Sequence, residues 1–269
     1  MADLLKISII TPNYNYAHFI GQTIESVVNQ DYENIEHVIV DDGSTDNSVE
    51  IIQSYQKRYP GKIKLIVQKN QGQSAAINVG LKAATGDIIG WINSDDMYAP
   101  NSFQTVVESL SSANVDAIYS NYYRVNSKGE VIANHIAQNS SKWMSLFYCF
   151  ISSNTFFFKR KIIDNEVFID NDFHICMDKE FFAHIYYADY KIVKVNTYFA
   201  YFRWHENNKS IDSSVVKEIR LNEGIEILRR YGKISHLKIF LNKFSYLFTQ
   251  KIVGLLRTIS RILKIGIYR

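Results

Sequence analysis

The chain begins with short apolar runs that alternate with longer amphipathic segments. The runs are rich in Ile and Val and end at polar or turn residues, which is typical of buried strands. The segments between them repeat apolar side chains every three or four positions, which is typical of helices. The predicted strands lie over residues 7–11, 35–40, 63–67, 88–92 and 115–119. The predicted helices lie over residues 19–29, 75–84 and 101–110, with one more directly after the cap residues at 43–47.

This alternation predicts an α/β fold. Such a chain forms a mostly parallel sheet with helices on both faces, and ligands bind beyond the carboxyl ends of its strands. Polar residues follow the predicted strands at that edge, over residues 12–15, 41–44 and 93–96. The second half of the chain is less regular. Its predicted elements are a strand over residues 154–159, a helix over 177–187 and an extended segment over 192–203.

Two pairs of adjacent carboxylates stand at this edge, Asp41-Asp42 and Asp95-Asp96. Such pairs repel each other unless a positive charge lies near them, and a hard divalent ion such as Mg²⁺ or Mn²⁺ is a common partner. The alternative for Asp95 and Asp96 is that one of them caps the following helix. The sequence contains no P-loop, no glycine-rich dinucleotide motif and no nucleophile elbow. A sheet that binds phosphates without glycine loops needs a metal for that task.

A set of short motifs resembles the family-2 glycosyltransferases of the GT-A fold. Residues 9–15 (IITPNYN) resemble the opening of that family, and residues 40–46 (VDDGSTD) follow at the expected distance. Further short motifs continue the family's order at residues 70–72, 76–80 and 86–89. Each motif is individually weak, and it is their shared order and spacing that carry the resemblance.

Three later motifs extend the resemblance to about residues 5–210. Residues 93–96 (NSDD) stand at the place of the family's DxD motif, Met177-Asp178 resembles its ED position, and residues 203–205 (RWH) resemble its R-x-H element. Two positions depart from the family, because Asn93 replaces the first Asp of DxD and Met177 replaces the Glu. The last carboxylate of DxD, which faces the metal in the family, corresponds to Asp95.

The resemblance implies a nucleotide-sugar pocket. In it Tyr14 stacks on a uracil-like base, Asp41 accepts a hydrogen bond from the base, and Gly72 and Asn78 shape the pocket. The residues expected at the donor are Thr11, Pro12, Tyr14, Asp41, Gly72, Asn78, Asn93, Ser94 and Asp95. Structural alternatives stay open for three of them: a surface turn for Tyr14, an Asx turn for Asp41 and a plain loop glycine for Gly72.

The resemblance also implies a metal-dependent reaction that inverts the anomeric carbon. Asp178 is then the general base, while Asp95, Asp96 and His205 bind Mn²⁺ or Mg²⁺ at the leaving diphosphate. The candidates for contacts with the acceptor or a phosphate are Arg203, Trp204 and Asn154. Without the family, Asp178 is more simply read as a helix cap, and His205 and Trp204 as packed side chains.

Charge changes the picture at the C-terminal end. The chain has 30 Lys and Arg against 27 Asp and Glu, yet residues 227–269 contain ten basic and no acidic residues. Apolar side chains recur there at helical spacing between the basic ones, a pattern typical of helices that lie on membranes. We therefore expect peripheral contact with an anionic membrane. The alternatives are packing on the body of the protein or on a second copy in a homo-oligomer, and no motif for nucleic acid is present.

These observations predict a GT-A domain over residues 1–212 and a basic helical region over 213–269. No secretory leader and no apolar stretch of transmembrane length is visible, and Cys149 and Cys176 form neither a disulfide framework nor a zinc site, so we expect a cytoplasmic protein at the inner membrane face. The expected activity is transfer of a sugar to a hydroxyl of a glycan or lipid-linked acceptor in bacterial cell-surface polysaccharide synthesis. The alternatives are a non-catalytic nucleotide-sugar-binding or scaffold module and a sugar nucleotidyltransferase. The second of these lacks its glycine-rich, basic loop after the first strand.

Overall fold

A computed structural model describes residues 4–206, 208, 213–232 and 255. The strands of this part are β1 (Ile7–Asn13), β2 (Ile35–Asp41), β3 (Ile63–Val67), β4 (Ile88–Trp91), β5 (Met97–Tyr98), β6 (Ala117–Val125), β7 (Val131–His135), β8 (Phe157–Lys159) and β9 (Ile192–Arg203). Its helices are α1 (Ala17–Val28), α2 (Ser48–Arg58), α3 (Gln73–Ala83), α4 (Ser102–Leu110), α5 (Lys161–Asp164), α6 (Met177–Tyr187) and α7 (Ser214–Gly232).

The strands form a single mixed sheet in the order β3-β2-β1-β4-β8-β6-β9-β5, with β7 beside the second half of β6. Strands β1 to β4 are parallel to one another. Strand β8 then runs antiparallel between β4 and β6, whereas β6 and β9 are parallel. The predicted α/β class is confirmed, with its parallel half formed by the motifs of the first hundred residues.

Helices cover both faces of the parallel half. On one face Ile39 of β2 packs in a cluster with Ile20 of α1 and Ile52 of α2. On the other face Val38 of β2 packs with Ala76 of α3. Successive side chains of a strand point to opposite faces, so a strand covered on both faces reads as a continuous apolar run. This arrangement explains why β1 and β2 are buried along their whole length.

Gly80 allows α3 to lie close to the sheet, and Gly72 forms the turn that precedes the helix. A Cβ atom at Gly80 would overlap the side chain of Ile10 on β1, so the helix and the strand approach each other more closely than another residue permits. Gly72 precedes the helix with a φ of +90°, a conformation that favours glycine. The N-terminal end of α3 is thereby held beside the carboxyl end of β2.

Some elements differ from those that the pattern predicts. Helix α4 begins at Ser102 because Asn101 has a left-handed φ of 60°. The strand predicted over residues 154–159 is a short 3-10 turn (Ser153–Thr155) followed by β8. Strands β5 and β7 were not predicted, since β5 has two residues and the β7 side chains are mostly exposed. Neither therefore carries a hydrophobic period.

Helix α7 packs against the body of the protein. Ile227 and Leu228 are buried in the same apolar core as Phe181 of α6. The helix is the first part of the region predicted over residues 213–269. Most of the basic amphipathic segment, residues 233–254 and 256–269, lies outside the described residues, so its membrane contact stays a prediction. Within the described part of the chain, no helix is long and apolar enough to span a bilayer.

Candidate active site

A cavity of about 640 Å³ opens at the carboxyl edge of the sheet, where the sequence predicts the ligand site. One wall comes from the loops that follow β1, β2 and β4. Its residues include Pro12, Asn13, Tyr14, Asp42, Gly72, Asn93, Ser94 and Asp95. The opposite wall comes from the second half of the chain. Its residues include Tyr122, His135, Cys149, Ser152, His174, Met177, Asp178 and Asn208.

Of the first acidic pair, Asp42 and not Asp41 lines the cavity. Asp41 is fully buried and accepts hydrogen bonds from Asn13 Nδ2 (2.7 Å) and from the backbone N–H of Ser44 (2.8 Å). Asp41 therefore holds the loop after β2 through a bond to the residue three positions on, and it does not line the cavity where its predicted contact with the base would be made. Asp42 accepts hydrogen bonds from the backbone N–H groups of Gln71 (2.9 Å) and Gly72 (2.8 Å). This contact fixes the start of α3 at the cavity.

The loop after β1 exposes an aromatic ring to the cavity. Tyr14 lies on the cavity wall with 44% of its surface exposed. Pro12 lines the same wall, and its carbonyl oxygen accepts a hydrogen bond from the Ser94 hydroxyl (2.8 Å). Thr11 is fully buried and hydrogen-bonded to His37 Nε2 (2.8 Å). It therefore supports the sheet, whereas the sequence predicted that it faces the donor.

Asn78 also differs from its predicted role. Its side chain donates to the carbonyl of Ile169 (2.7 Å) and accepts from the N–H of the same residue (3.1 Å). Asn78 thus anchors the loop that leads into α6 and does not shape the cavity surface. Gly72, by contrast, lies on that surface as predicted.

The second acidic pair separates into one cavity residue and one buried residue. The carboxylate of Asp95 lines the cavity, and its Oδ2 lies 3.1 Å from Nε2 of His205. Asp96 is 1% exposed and accepts hydrogen bonds from Asn154 Nδ2 (3.1 Å) and from the backbone N–H of Arg203 (2.8 Å). Burial raises the pKa of both carboxyl groups, and the neighbouring Asp95 raises that of Asp96 further. Asp96 is therefore a structural group beneath the cavity, contrary to its predicted place among the metal ligands.

The three candidates for acceptor or phosphate contacts do not reach the cavity. Arg203 is fully buried, and its guanidinium donates to the carbonyls of Asp95 (2.8 Å) and Ser127 (2.8 Å). Asn154 is fully buried against Asp96. Trp204 is 41% exposed and stacks under the guanidinium of Arg124, 4.6 Å from its ring centre. All three stabilise the surroundings of the site.

Asp178 lies in the first turn of α6 and lines the cavity. Its Oδ1 accepts a hydrogen bond from the N–H of Lys179 (2.7 Å), and its Oδ2 accepts one from the thiol of Cys149 (3.8 Å). Burial raises the pKa of this carboxyl group. The N-cap position of α6 is Cys176, so the simpler interpretation of Asp178 as the helix cap does not apply. A partly buried carboxylate with a raised pKa in a cavity is suited to accept a proton.

Asp95 and His205 fit a divalent ion as two of its ligands. Two ligand atoms at right angles, each about 2.1 Å from such an ion, lie about 3 Å apart. The 3.1 Å between Asp95 Oδ2 and His205 Nε2 is compatible with that spacing, and it is also the length of the hydrogen bond that joins the two groups here. The side-chain oxygen of Asn208 supports the pair by accepting a hydrogen bond from the backbone N–H of His205 (2.6 Å). Within the described residues no group of three or more His, Cys, Asp or Glu side chains forms a complete metal site. Substrate phosphates commonly complete the coordination in such sites.

Several cavity residues were missed from the sequence. A signal existed for Asp42, which belongs to the acidic pair, but the pattern did not show which member faces outward. Tyr122, His135, Cys149 and His174 carry no motif. They lie on β6, the unpredicted β7 and irregular segments, and tertiary folding alone brings them to the cavity.

The mixed sheet, with its cavity at the carboxyl ends of the parallel strands, has the GT-A fold. Solved structures with this fold include residues 1–349 of Staphylococcus aureus TarS in complex with UDP-GlcNAc, with a TM-score of 0.71 and 18% identity over 91% of this chain and 73% of that one. The mannosyltransferase PcManGT of Pyrobaculum calidifontis in complex with GDP-Man and Mn²⁺ has a TM-score of 0.68 and 15% identity over 98% of this chain and 82% of that one.

Residues 8–186 match the family model described as "Glycosyl transferase family 2", and the chain belongs to that family. An uncharacterized glycosyltransferase of Nostoc sp. PCC 7120 is 33% identical over 248 residues, which are 84% of this chain and 74% of the relative. The minor teichoic acid biosynthesis protein GgaA of Bacillus subtilis is 30% identical over 220 residues, 77% of this chain. The match spans 49% of GgaA, so this chain corresponds to about half of that protein.

Proposed function

We propose that this family-2 enzyme transfers a sugar from a UDP-sugar to a hydroxyl of a glycan or lipid-linked acceptor, with inversion and with a divalent ion. One observation carries the proposal: a single cavity is lined by Tyr14, Asp95 and Asp178, and His205 lies directly behind Asp95, 3.1 Å from its carboxylate. Tyr14 is suited to stack on the nucleobase, and the Asp95–His205 pair is suited to hold a metal ion at the diphosphate. Asp178 is suited to accept the proton of the acceptor hydroxyl. The name of the Bacillus subtilis relative supports a role in bacterial cell-surface polysaccharide synthesis.

The donor binds along the wall formed by the first half of the chain. The exposed ring of Tyr14 offers a face on which a base can stack. The diphosphate lies toward Asp95 and His205, where a bound Mn²⁺ or Mg²⁺ supplies positive charge to the leaving group. We favour UDP because of the resemblance to TarS in complex with UDP-GlcNAc, although the PcManGT complex contains GDP-Man and makes GDP-sugars the second donor class to test.

Asp178 accepts the proton of the acceptor hydroxyl. The hydroxyl oxygen forms a bond to the anomeric carbon, and the bond from that carbon to the phosphate oxygen breaks with its electron pair on the leaving diphosphate. The proton passes to a carboxylate oxygen of Asp178, whose raised pKa makes it a stronger base than an exposed aspartate. One displacement on one carbon inverts its configuration.

We further propose that the protein acts at the cytoplasmic face of the membrane. The support is the excess of basic residues over 227–269, where no acidic residue balances them. Each basic side chain near an anionic leaflet contributes about 1 kcal/mol to binding. Such a location suits a lipid-linked acceptor. Self-association through the same region remains the competing proposal.

The test is nucleotide release by the full chain with a panel of UDP- and GDP-sugars, Mn²⁺ and glycan acceptors. We expect turnover with a UDP-sugar, and Asp178→Asn should lower kcat by about 10²- to 10⁴-fold because general-base catalysis is lost. UDP affinity by calorimetry should stay within about twofold, since Asp178 faces the acceptor. Asp172→Asn, an exposed position near the same helix, is the control. Equal turnover by wild type and Asp178→Asn removes Asp178 from the mechanism, and UDP binding without any turnover favours the non-catalytic module.

A further inference from the structure

The loop of residues 169–176, which we call the pre-α6 loop, forms part of the cavity wall and leads directly to the proposed base. His174 and Ile175 of this loop line the cavity, and Asp178 follows two residues after its end. The position of the loop therefore sets the position of the first turn of α6. The contacts that hold the pre-α6 loop therefore affect the position of Asp178, the proposed base.

A single carboxylate from another helix binds the end of this loop. Glu223 of α7 accepts hydrogen bonds from three consecutive backbone N–H groups: His174 (2.7 Å), Ile175 (3.0 Å) and Cys176 (2.6 Å). Hydrogen bonds to a charged acceptor are shorter and stronger than neutral ones. Three such bonds to one side chain leave the backbone little freedom at this point.

The contact lies at the N-terminal end of α6, where Glu223 binds the N–H of the N-cap residue Cys176 and of the two residues before it. The first N–H groups of a helix have no partner inside the helix, and a side chain at the N-cap position usually binds one of them. In α6 the N-cap residue is Cys176, and its side chain makes no such bond. The carboxylate of Glu223 instead comes from 47 residues further along the chain, and a negative charge is favourable at that end of a helix.

Other contacts hold the beginning and the middle of the pre-α6 loop. Asn78 of α3 binds Ile169, and the hydroxyl of Ser74 donates to the carbonyl of Phe173 (3.1 Å). Arg230 of α7 pairs with Asp170 at 2.5 Å. The loop is thus fixed between α3 and α7, with Glu223 at the end nearest to Asp178.

We propose that Glu223 is a positioning residue for sugar transfer, which acts by fixing the first turn of α6 so that Asp178 faces the acceptor hydroxyl. The proposal rests on the proposed function, because it takes Asp178 as the base. Glu223 lies beyond residues 8–186, the part of the chain that the family description covers. The C-terminal helix therefore completes the active site that the family motifs begin.

Glu223→Gln is the informative variant, because it keeps the size of the side chain but leaves one acceptor oxygen and no charge. Its control is Glu226→Gln on the same helix, since Glu226 pairs with Arg229 on the surface (2.8 Å). We expect Glu223→Gln to lower kcat by about tenfold or more, because small displacements of catalytic groups have large effects on rate. The donor KM should stay within about twofold of wild type, and the Glu226→Gln kinetics should match wild type.

A double-mutant cycle with Asp178→Asn separates positioning from general stabilisation. If Glu223 acts through Asp178, adding Glu223→Gln to Asp178→Asn changes the residual rate by less than about twofold. Additive losses in the double variant overturn the proposal, and so does a wild-type kcat in Glu223→Gln. A loss of rate fully explained by a smaller folded fraction, measured by active-site titration with UDP, overturns it as well.

Amide hydrogen exchange gives a readout that does not depend on turnover. The N–H groups of residues 174–176 should exchange at least about tenfold faster in Glu223→Gln than in Glu226→Gln, because they lose a partner. Unchanged exchange at these three residues overturns the proposal even if the enzyme is active. If the wild-type protein binds no nucleotide sugar, the proposed function fails. The positioning role of Glu223 then fails as well, even if amide exchange shows that Glu223 contacts residues 174–176. If Asp178→Asn retains full turnover, the role of Asp178 and its positioning by Glu223 fail, while the transferase assignment stands.

Discussion

The thiol of Cys149 lies 3.8 Å from Oδ2 of Asp178, where it can donate a hydrogen bond, and 3.2 Å from the carbonyl oxygen of Ile151, the competing acceptor of its single proton. Burial raises the pKa of Asp178, and the thiol, as a donor to the ionised carboxylate, acts in the opposite direction. Burial together with the charge of Asp178 raises the pKa of the Cys149 thiol well above its usual value, so the thiol stays protonated near neutral pH. The proposed base thus has a weak donor in a setting that otherwise disfavours its charge.

Removing this donor should shift the pH dependence of turnover. In Cys149→Ala the ionised form of Asp178 loses a hydrogen-bond donor, so the pKa of Asp178 rises further. Because the base must be ionised, we expect the acidic limb of the kcat profile to move to higher pH while the rate on the alkaline plateau stays similar. The charged neighbour Lys179 and the buried Cys176 remain in place in this variant.

Cys176→Ala is the matched control, since the Cys176 thiol donates to the carbonyl of Arg220 and, in the described part of the chain, makes no hydrogen bond to Asp178. Its acidic limb should coincide with that of wild type. A Cys149→Ala limb that stays in place or moves to lower pH contradicts the role given to the thiol.

The Asp95–His205 pair predicts how metal dependence responds to mutation. EDTA should abolish turnover and Mn²⁺ should restore it. In His205→Ala one of the two proposed protein ligands is lost, so the Mn²⁺ concentration for half-maximal activity should rise by at least about tenfold. Calorimetry of UDP binding with and without Mn²⁺ should show a correspondingly smaller effect of the metal in this variant. His18→Ala, at an exposed position on α1, serves as the control. If the Mn²⁺ dependence of His205→Ala equals that of wild type, His205 is not a metal ligand.

Glu36 predicts an acid-sensitive contribution to stability. Burial opposes its ionisation, but hydrogen bonds from Ser8, Thr85 and Lys6 outweigh burial and lower the pKa of Glu36 below 4.5. A group with a lowered pKa in the folded state stabilises the protein above its unfolded pKa and loses this effect as the pH falls through the folded value. We expect Glu36→Gln to lower the free energy of unfolding by about 1–3 kcal/mol at pH 7.

Urea unfolding from pH 7 to pH 3 measures this effect. The difference between wild type and Glu36→Gln should shrink as the pH falls below about 4.5. Glu33→Gln, an exposed neighbour on the same segment, should behave like wild type throughout. A difference that is the same at all pH values indicates a loss of packing and not a loss of charge.

Two truncations test the C-terminal region. Ending the chain after Gly232 keeps α7 and should leave the fold and its melting temperature intact, but it should abolish sedimentation with vesicles that contain phosphatidylglycerol. Ending the chain after Asp212 also removes Ile227 and Leu228, each worth about 1.5–3 kcal/mol when buried, together with Glu223. This second protein should be unstable or insoluble.

Vesicles of phosphatidylcholine alone are the control for the charge effect, and binding to anionic vesicles should fall at high salt. If the protein that ends at Gly232 still sediments with anionic vesicles, the membrane role of the basic segment is wrong. A protein that ends at Asp212 and melts like the full chain shows that α7 is dispensable to the fold.

The sequence predicted the parallel half of the fold well because its signals are local. Buried strands such as β1 and β2 appear as continuous apolar runs, and the turn residues between them mark where the helices begin. Strands β5 and β7 gave no such signal, because β5 is too short for a period and β7 is exposed. The first is defined by its pairing with β9, which begins almost one hundred residues later.

The site was predicted in outline for the same reason. The motifs around Tyr14, Asp95 and Asp178 lie at strand or helix ends, and the structure brings these three residues to one cavity. They could not show which side chain of a motif faces the cavity. Arg203 and Asp96 have ionisable side chains and belong to motifs, yet the fold buries both. The backbone N–H of Arg203 donates to the Asp96 carboxylate, and the Arg203 guanidinium donates to the carbonyl of Asp95. Glu223 belongs to no motif, and a helix–loop contact across 47 residues reveals it.

The distance along the chain between Asp95 and His205 has a consequence for biosynthesis. Strand β9 inserts between β6 and β5 and brings His205 to a residue that the ribosome adds 110 positions earlier. The parallel half can form first, since contacts between near neighbours in sequence form fastest. A nascent chain, or a product of a stop codon before residue 203, therefore presents the wall around Tyr14 without the partner of Asp95. The proposed metal site is therefore completed only after His205 has been synthesised and β9 has joined the sheet.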